Sequence, residues 1–168
     1  MSQPPLPCYN VSMSALPEDE AYMREALAEA QAAYERGEVP IGAVAVHKHY
    51  VVGRGHNRKE ELADPTAHAE ILALREAAQT LRTWRLSEVT LYCTMEPCPM
   101  CAGAMVLARL PRLVYAVDDP KSGASGSVFD VARSPRLNHQ VQVTKGVLAD
   151  EARALLDRFF DQLRGRAE

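Results

Sequence analysis

The spacing of apolar residues divides the first third of the chain into a helix and two strands. Between Pro17 and Gly37, apolar side chains return every three to four positions, which predicts an amphipathic helix with one face packed inward. Residues 41–47 and 50–56 are short, β-prone segments separated only by Lys48-His49. A gap of two residues between such segments predicts a β-hairpin.

The rest of the chain alternates between helical and extended patterns. The loop at Asp64-Pro65-Thr66 leads into a second helix, for which Thr66 is the expected N-cap. This helix carries His68 and Glu70 in its first turn. The following predicted elements are a strand over 89–94, a helix beginning at Cys98, a strand over 112–117, one helical turn over 128–132, a strand over 141–145 and a terminal helix over 148–164.

These elements predict an α/β fold. The strand–helix–strand order after residue 89 implies a right-handed parallel crossover, whereas the hairpin is antiparallel. We therefore expect a three-layer α/β/α sandwich around a central mixed sheet of about five strands. Residues 17–168 should form a single domain, and the proline- and serine-rich residues 1–16 should form a flexible tail.

Length and composition fit one globular domain. The chain has 168 residues, of which 47% are hydrophobic and 24% charged. No apolar run reaches the roughly 18 residues that span a membrane, and no signal peptide is visible, so we expect a cytoplasmic protein without membrane contact. Four cysteines in a chain of this length do not indicate a disulfide framework.

The net charge of −3 hides an uneven distribution of charged residues. The segment from Arg109 to Lys145 has six basic and three acidic residues, a net charge of +3. Such a segment is compatible with contacts to nucleic-acid phosphates. An ordinary solvated surface explains the same pattern equally well.

The candidate chemistry lies in two short motifs, His68-Ala69-Glu70 and Pro97-Cys98-Pro99-Met100-Cys101. A helix start favours the thiolate form of cysteine, which is the form that binds zinc. Two thiolates and one imidazole give three protein ligands, and an open fourth position is typical of catalytic zinc. This pattern is the signature of zinc nucleobase deaminases, in which Glu70 would be the general acid and base and not a ligand.

Three other interpretations of these residues stay open. The two cysteines of Cys98–Cys101 could form a redox pair, although that leaves His68 and Glu70 unexplained. A closed structural zinc site would need a fourth ligand from Cys93 or Cys8, but Cys93 lies in an alternating strand pattern typical of a buried apolar residue. Glu70 could also serve only to offset the positive end of a helix dipole.

Three longer motifs resemble the bacterial tRNA-specific adenosine deaminases. They are Asp64–Ile71, Glu96–Ala104 and Asp119–Ser127. The first two are shared by most of the cytidine deaminase-like superfamily. The third, together with Asn138-His139, indicates the tRNA-acting family, and the similarity runs from about residue 22 to about residue 163.

The resemblance implies a fold, an activity and a set of site residues. It implies a homodimer that converts the wobble adenosine of a tRNA anticodon stem-loop to inosine, with one Zn²⁺ per subunit. The implied zinc ligands are His68, Cys98 and Cys101, with Glu70 as the proton donor. The implied substrate contacts are Asn57 for adenine and, near the RNA, Asp119, Lys121, Asn138 and His139.

Two rival functions remain. A deaminase of a free base or nucleoside, of the guanine or cytosine type, would share both zinc motifs and differ only in the segment from Asp118 to His139. A non-catalytic zinc- or RNA-binding module is the second rival. It would have no use for the carboxylate of Glu70.

Overall fold

The computed structural model describes residues 14–165, which form five helices and five strands. In chain order these elements are α1 (Asp19–Glu35), β1 (Gly42–His47), β2 (Tyr50–His56), α2 (Lys59–Leu62), α3 (Ala69–Leu81), β3 (Val89–Met95), α4 (Pro99–Leu107), β4 (Arg112–Val117), β5 (Gln142–Lys145) and α5 (Ala149–Gly165). None of these helices combines the length and apolar composition needed to span a bilayer.

The five strands form one mixed sheet in the order β2-β1-β3-β4-β5. β1 pairs antiparallel with both β2 and β3, whereas β3, β4 and β5 run parallel. The predicted hairpin and the predicted parallel crossover are therefore both confirmed. Lys48 and His49, at the hairpin turn, both have positive φ (48° and 69°). This is the twist that a two-residue hairpin turn requires.

Helices cover both faces of the sheet, as the sequence predicts for a three-layer sandwich. On one face, α3 and α4 pack over a core that includes Ala73, Leu91 and Met105. On the other face, α1 and α5 pack over a second core that includes Met23 and Val114. The two helices that carry the candidate metal ligands thus lie side by side on the same face.

Helix α3 lies unusually close to the edge strand β2. A methyl group added at Gly53 would overlap the backbone of α3 at Ala73, and one added at Gly55 would overlap it at Ala69. Only glycine at both positions allows this approach. The approach fixes the distance between the sheet and the helix that begins at His68.

A buried polar network joins α1 to the middle of the sheet. The Arg112 guanidinium donates two hydrogen bonds to the Asp19 carboxylate (2.8 and 2.7 Å) and one to Thr144. Tyr92 and the backbone N–H of Leu16 also donate to Asp19. Burial alone would raise the pKa of Asp19, but these hydrogen bonds outweigh it and hold the pKa below its ordinary value.

Two sequence predictions about local structure are wrong, and a third falls largely outside the described residues. Residues 128–132 do not form a helical turn; this part of the chain has only an isolated bridge between Ser125 and Asp130. Thr66 is not the N-cap of α3, since its hydroxyl donates to Asp64 and His68 takes that position. The predicted tail, apart from residues 14–16, lies outside the described residues, and so does Cys8.

Candidate active site

Each half of the candidate metal site lies at the start of a helix. His68 is the N-cap of α3 and has extended backbone angles, and Cys98 is the N-cap of α4. Pro99 occupies the first turn of α4, where a missing N–H costs nothing. Cys101, three residues after Cys98, lies on the same side of the first turn.

The three donor atoms fit a tetrahedral zinc ion. His68 Nδ1 lies 3.6 Å from the sulfur of Cys98 and 3.6 Å from the sulfur of Cys101, and all three atoms lie within 4.8 Å of one another. A tetrahedral ion with ordinary zinc–nitrogen and zinc–sulfur bonds would separate nitrogen and sulfur by about 3.6 Å. The donor chemistry and the spacing therefore both suit zinc.

The two sulfurs differ in acidity in the metal-free protein. A hydrogen bond with Cys101, helped by His68, lowers the pKa of Cys98 to about 4. The same hydrogen bond with Cys98, together with burial, raises the pKa of Cys101. The lowered pKa favours a thiolate in this pair, which is the form that binds a metal cation.

Glu70 stands next to this group and does not belong to it. Only 4% of its surface is exposed, and burial raises the pKa of its carboxyl group to about 7. Among the described residues, the donor cluster comprises His68, Cys98 and Cys101 alone. A buried carboxyl group with a pKa near neutrality is suited to accept and release protons.

Cys93 does not close the site. It is fully buried in β3, and this burial raises the pKa of its thiol well above the ordinary value. It therefore behaves as the small apolar residue that its strand pattern predicts.

The donors open onto a cavity of about 150 Å³. His68, Glu70 and Cys98 line one part of it. The other lining residues are Val39, Ile41, Asn57, Lys59, Ala69, Met95, Glu96, Asp119 and Ser122. Apolar walls with a few polar groups set among them are the usual form of a small-ligand pocket.

Two of the predicted substrate residues line this cavity. Asn57 is buried, and its side-chain amide lies 3.4 Å from the carboxylate of Glu38. The Asp119 carboxylate accepts hydrogen bonds from the N–H of Lys121 and from the N–H and hydroxyl of Ser122. Asp119 therefore shapes its own turn at the cavity wall.

The other predicted substrate residues, Lys121, Asn138 and His139, do not line the cavity. Asn138 accepts a hydrogen bond from Arg109, and the ring of His139 lies 2.6 Å from the carbonyl oxygen of Leu110. Both contacts hold their loop against the chain that follows α4.

Sequence reasoning gave no role to two buried acids at the site. The Glu38 carboxylate accepts hydrogen bonds from the side-chain amide of Asn57 and the N–H of Glu61. The Glu96 carboxylate accepts hydrogen bonds from several N–H groups of residues 119–127. Their partners are more than 15 residues away in the sequence, so no local pattern reveals them. For Glu96 the one available signal is a charged residue directly beside the Pro97–Cys101 motif, and Glu38 has no such signal.

Comparison with known proteins identifies first the class and then the family to which this chain belongs. A family model described as MafB19-like deaminase matches residues 17–164, so the fold and the site define a deaminase. The chain is 49% identical to the tRNA-specific adenosine deaminase of Bacillus subtilis over 88% of this chain and 91% of that protein. The chain belongs to the tRNA-specific adenosine deaminase family.

Solved structures agree on the fold. A structure from studies of A-to-I editing by tRNA:A34 deaminases at the wobble position of transfer RNA is 45% identical, with a TM-score of 0.78 over 81% of this chain and 99% of that one. The guanine deaminase of Nitrosomonas europaea is 28% identical, with a TM-score of 0.69 over 95% and 96% of the two chains.

Proposed function

We propose that this chain is a zinc-dependent hydrolase that converts adenosine to inosine at the wobble position of a tRNA anticodon stem-loop. The observation that carries the proposal is a buried, proton-carrying Glu70 beside three converging zinc donors at a cavity. The 49% identical relative that bears the name of this activity supports the choice of substrate. Residues 17–168 would form the single catalytic domain.

The proposed chemistry replaces the adenine amino group with an oxygen from water and releases ammonia. His68, Cys98 and Cys101 would hold one zinc ion per subunit, which when bound makes water a nucleophile near neutral pH. Glu70 would accept a proton from that water and deliver it to N1 of the adenine ring. The same carboxylate would then take the proton of the hydroxyl group added at C6 and pass it to the amino group, which leaves as ammonia as the C6 carbonyl forms.

The remaining residues of the cavity would select the base and the RNA. Asn57, held by Glu38, presents an amide that can hydrogen-bond a base edge. Lys59 is exposed at the same cavity and is suited to a phosphate. For Lys121, Asn138 and His139, we propose contacts with the stem-loop outside the cavity.

The decisive experiment offers several substrates to the zinc-loaded protein. An anticodon stem-loop with a wobble adenosine is incubated beside free adenosine, cytidine and guanine, and the products are separated by chromatography. We expect inosine from the stem-loop only. Deamination of a free base with no inosine in RNA would refute the proposal.

A guanine deaminase is the second candidate, because a guanine deaminase shares the fold at 28% identity. Salt dependence separates the two. An enzyme that contacts RNA phosphates loses affinity steeply as salt rises, whereas a free-base enzyme has no phosphates to bind. We expect kcat/KM for the stem-loop to fall between about 50 and 200 mM salt.

We also propose a cytoplasmic homodimer, the cytoplasm being where its proposed tRNA substrate is found. Helix α4 exposes Met100 and Leu107, which lie seven residues apart on one side of the helix. Leu107 exposes 73% of its surface in the single chain, an unfavourable position for leucine unless a partner covers it. Sedimentation velocity should give the mass of two chains, and Leu107→Asp should shift it toward one.

A further inference from the structure

Glu96 joins the metal half-site to the facing wall of the cavity. It lies between the end of β3 and Cys98, and only 2% of its surface is exposed. Its carboxylate accepts hydrogen bonds from three backbone N–H groups, those of Asp119 (2.9 Å), Ser125 (3.0 Å) and Ser127 (3.1 Å). The hydroxyl of Ser127 donates to it as well.

Backbone contacts strengthen the same connection. The N–H of Glu96 donates to the carbonyl oxygen of Val117, and the N–H of Ala124 donates to that of Pro97, both at 2.8 Å. Gly123 leaves room for the carboxylate, since a methyl group added there would overlap it. The turn of residues 119–127 is therefore fixed to the two residues that precede Cys98.

The carboxylate of Glu96 is satisfied by these donors alone. Among residues 14–165, it takes part in no ion pair, although it is buried. A buried acid needs strong compensation, and backbone N–H groups aimed at it supply that compensation only in this loop conformation. The charge therefore favours one conformation of the turn over others.

We propose that Glu96 is a positioning residue that holds the turn of residues 119–127 as the cavity wall opposite His68 and Glu70. Asp119 and Ser122, which line the cavity, both belong to this turn. By fixing them, Glu96 sets the affinity for a nucleotide within RNA and leaves the chemical step to Glu70. This inference rests on the proposed function.

The test is Glu96→Gln in the full-length, zinc-loaded protein. Glutamine keeps the size of the side chain and one oxygen, which can still accept from Ser125 and Ser127. Its NH₂ group then replaces the oxygen that accepts from the N–H of Asp119 and from the hydroxyl of Ser127. The hydroxyl can rotate and accept instead, whereas the N–H of Asp119 meets another donor, so that contact is lost. Glu88→Gln is the matched control, because Glu88 lies at the other end of the same strand with 66% of its side chain exposed.

We expect Glu96→Gln to raise KM for the stem-loop about tenfold to hundredfold, the size expected for one hydrogen bond to a charged group. We expect kcat to stay within about twofold and zinc content to equal that of the wild type. Hydrogen exchange should become faster at the amides of residues 119–127 and stay unchanged in β3. Glu88→Gln should change none of these values.

A second variant perturbs the same contact from the other side. Gly123→Ala crowds the carboxylate of Glu96, and also the carbonyl oxygen of Asp119 in the same turn, and should also raise KM. If both changes act through one contact, the double variant should be no worse than Gly123→Ala alone. Additive effects would contradict the proposal.

Two results would overturn the positioning role. One is a loss of zinc from Glu96→Gln, or a fall in its kcat as large as the rise in its KM. Either result would place Glu96 in the metal half-site. The other is unchanged amide exchange in residues 119–127. If the wild type deaminates no stem-loop, the proposed function fails, and the exchange measurement still decides whether Glu96 holds the turn.

Discussion

At the scale of single residues, Glu70 is defined by its burial and by its place beside the donor cluster of His68, Cys98 and Cys101. It is buried beside the three candidate metal donors and yet is not a member of their cluster. Burial disfavours its charged form, so the carboxyl group can hold a proton near neutral pH. A group that only offset a helix dipole would gain nothing from this burial.

Replacement of Glu70 should separate metal binding from catalysis. We expect Glu70→Gln to keep a full complement of zinc and to lower kcat by a factor of about 10² to 10⁴, because only the proton transfer is lost. Metal analysis and single-turnover rates measure the two effects. Glu20→Gln, an exposed acid on α1, is the control and should match the wild type.

A variant whose zinc content fell in step with its activity would show that Glu70 is a ligand. That result would also remove the basis for the proposed mechanism.

The sequence predicts that His68, Cys98 and Cys101 lie together, and the structure brings them together, because the relevant spacings are local. His68 and Glu70 are two positions apart, and Cys98 and Cys101 are three apart, so each pair is set by a single helical turn. Glu96, by contrast, acts on donors 23 to 31 positions away. Only the folded chain reveals such contacts.

At the scale of elements, the position of α3 depends on glycine in β2. We expect Gly55→Ala to push α3 away from the sheet, to lower the free energy of unfolding by about 1–3 kcal/mol and to weaken zinc binding through His68. Gly165→Ala at the end of α5 is the matched control, because the added methyl group meets open space. Denaturant unfolding and zinc titration measure both variants.

The control should keep its zinc and be as stable as the wild type or more stable. Equal stability of Gly55→Ala and the wild type would show that α3 can shift without cost.

Long elements are predicted better than short ones. The five strands and the three long helices α1, α3 and α5 follow clear periodicities, and the structure confirms them. The four-residue helix α2 has too few positions to show any period. The sequence predicts a helical turn over residues 128–132, but N–H groups of this segment donate to the carbonyl oxygens of Gly123 and Ala124, which imposes an irregular path.

At the scale of the whole molecule, the pair of Asp19 and Arg112 joins the first helix to the sheet. Its hydrogen bonds lower the pKa of Asp19 below its ordinary value of 3.8 in the folded protein. The stability that the carboxylate contributes is therefore fully present above about pH 3.8 and is lost as the pH falls through the lower, folded-state value.

The free energy of unfolding of Asp19→Asn should consequently fall less steeply than that of the wild type as the pH is lowered. We expect a loss of about 3–5 kcal/mol at pH 7, because Arg112 stays buried without its counter-charge, and a smaller loss in acid. Urea unfolding between about pH 2 and 7 tests this expectation, because the loss occurs below about pH 3.8. Asp157→Asn on the exposed side of α5 is the control, and a parallel shift at every pH would contradict the argument.

The candidate metal donors lie at the starts of two different helices, and this arrangement affects how long the protein survives in the cell. His68 and Cys98 are 30 positions apart, so an ion shared between them closes a ring of chain that contains the central strand β3. Closure of a ring removes freedom mainly from the unfolded chain. Metal starvation should then shorten the lifetime of the newly made polypeptide, because proteases would reach an unclosed chain.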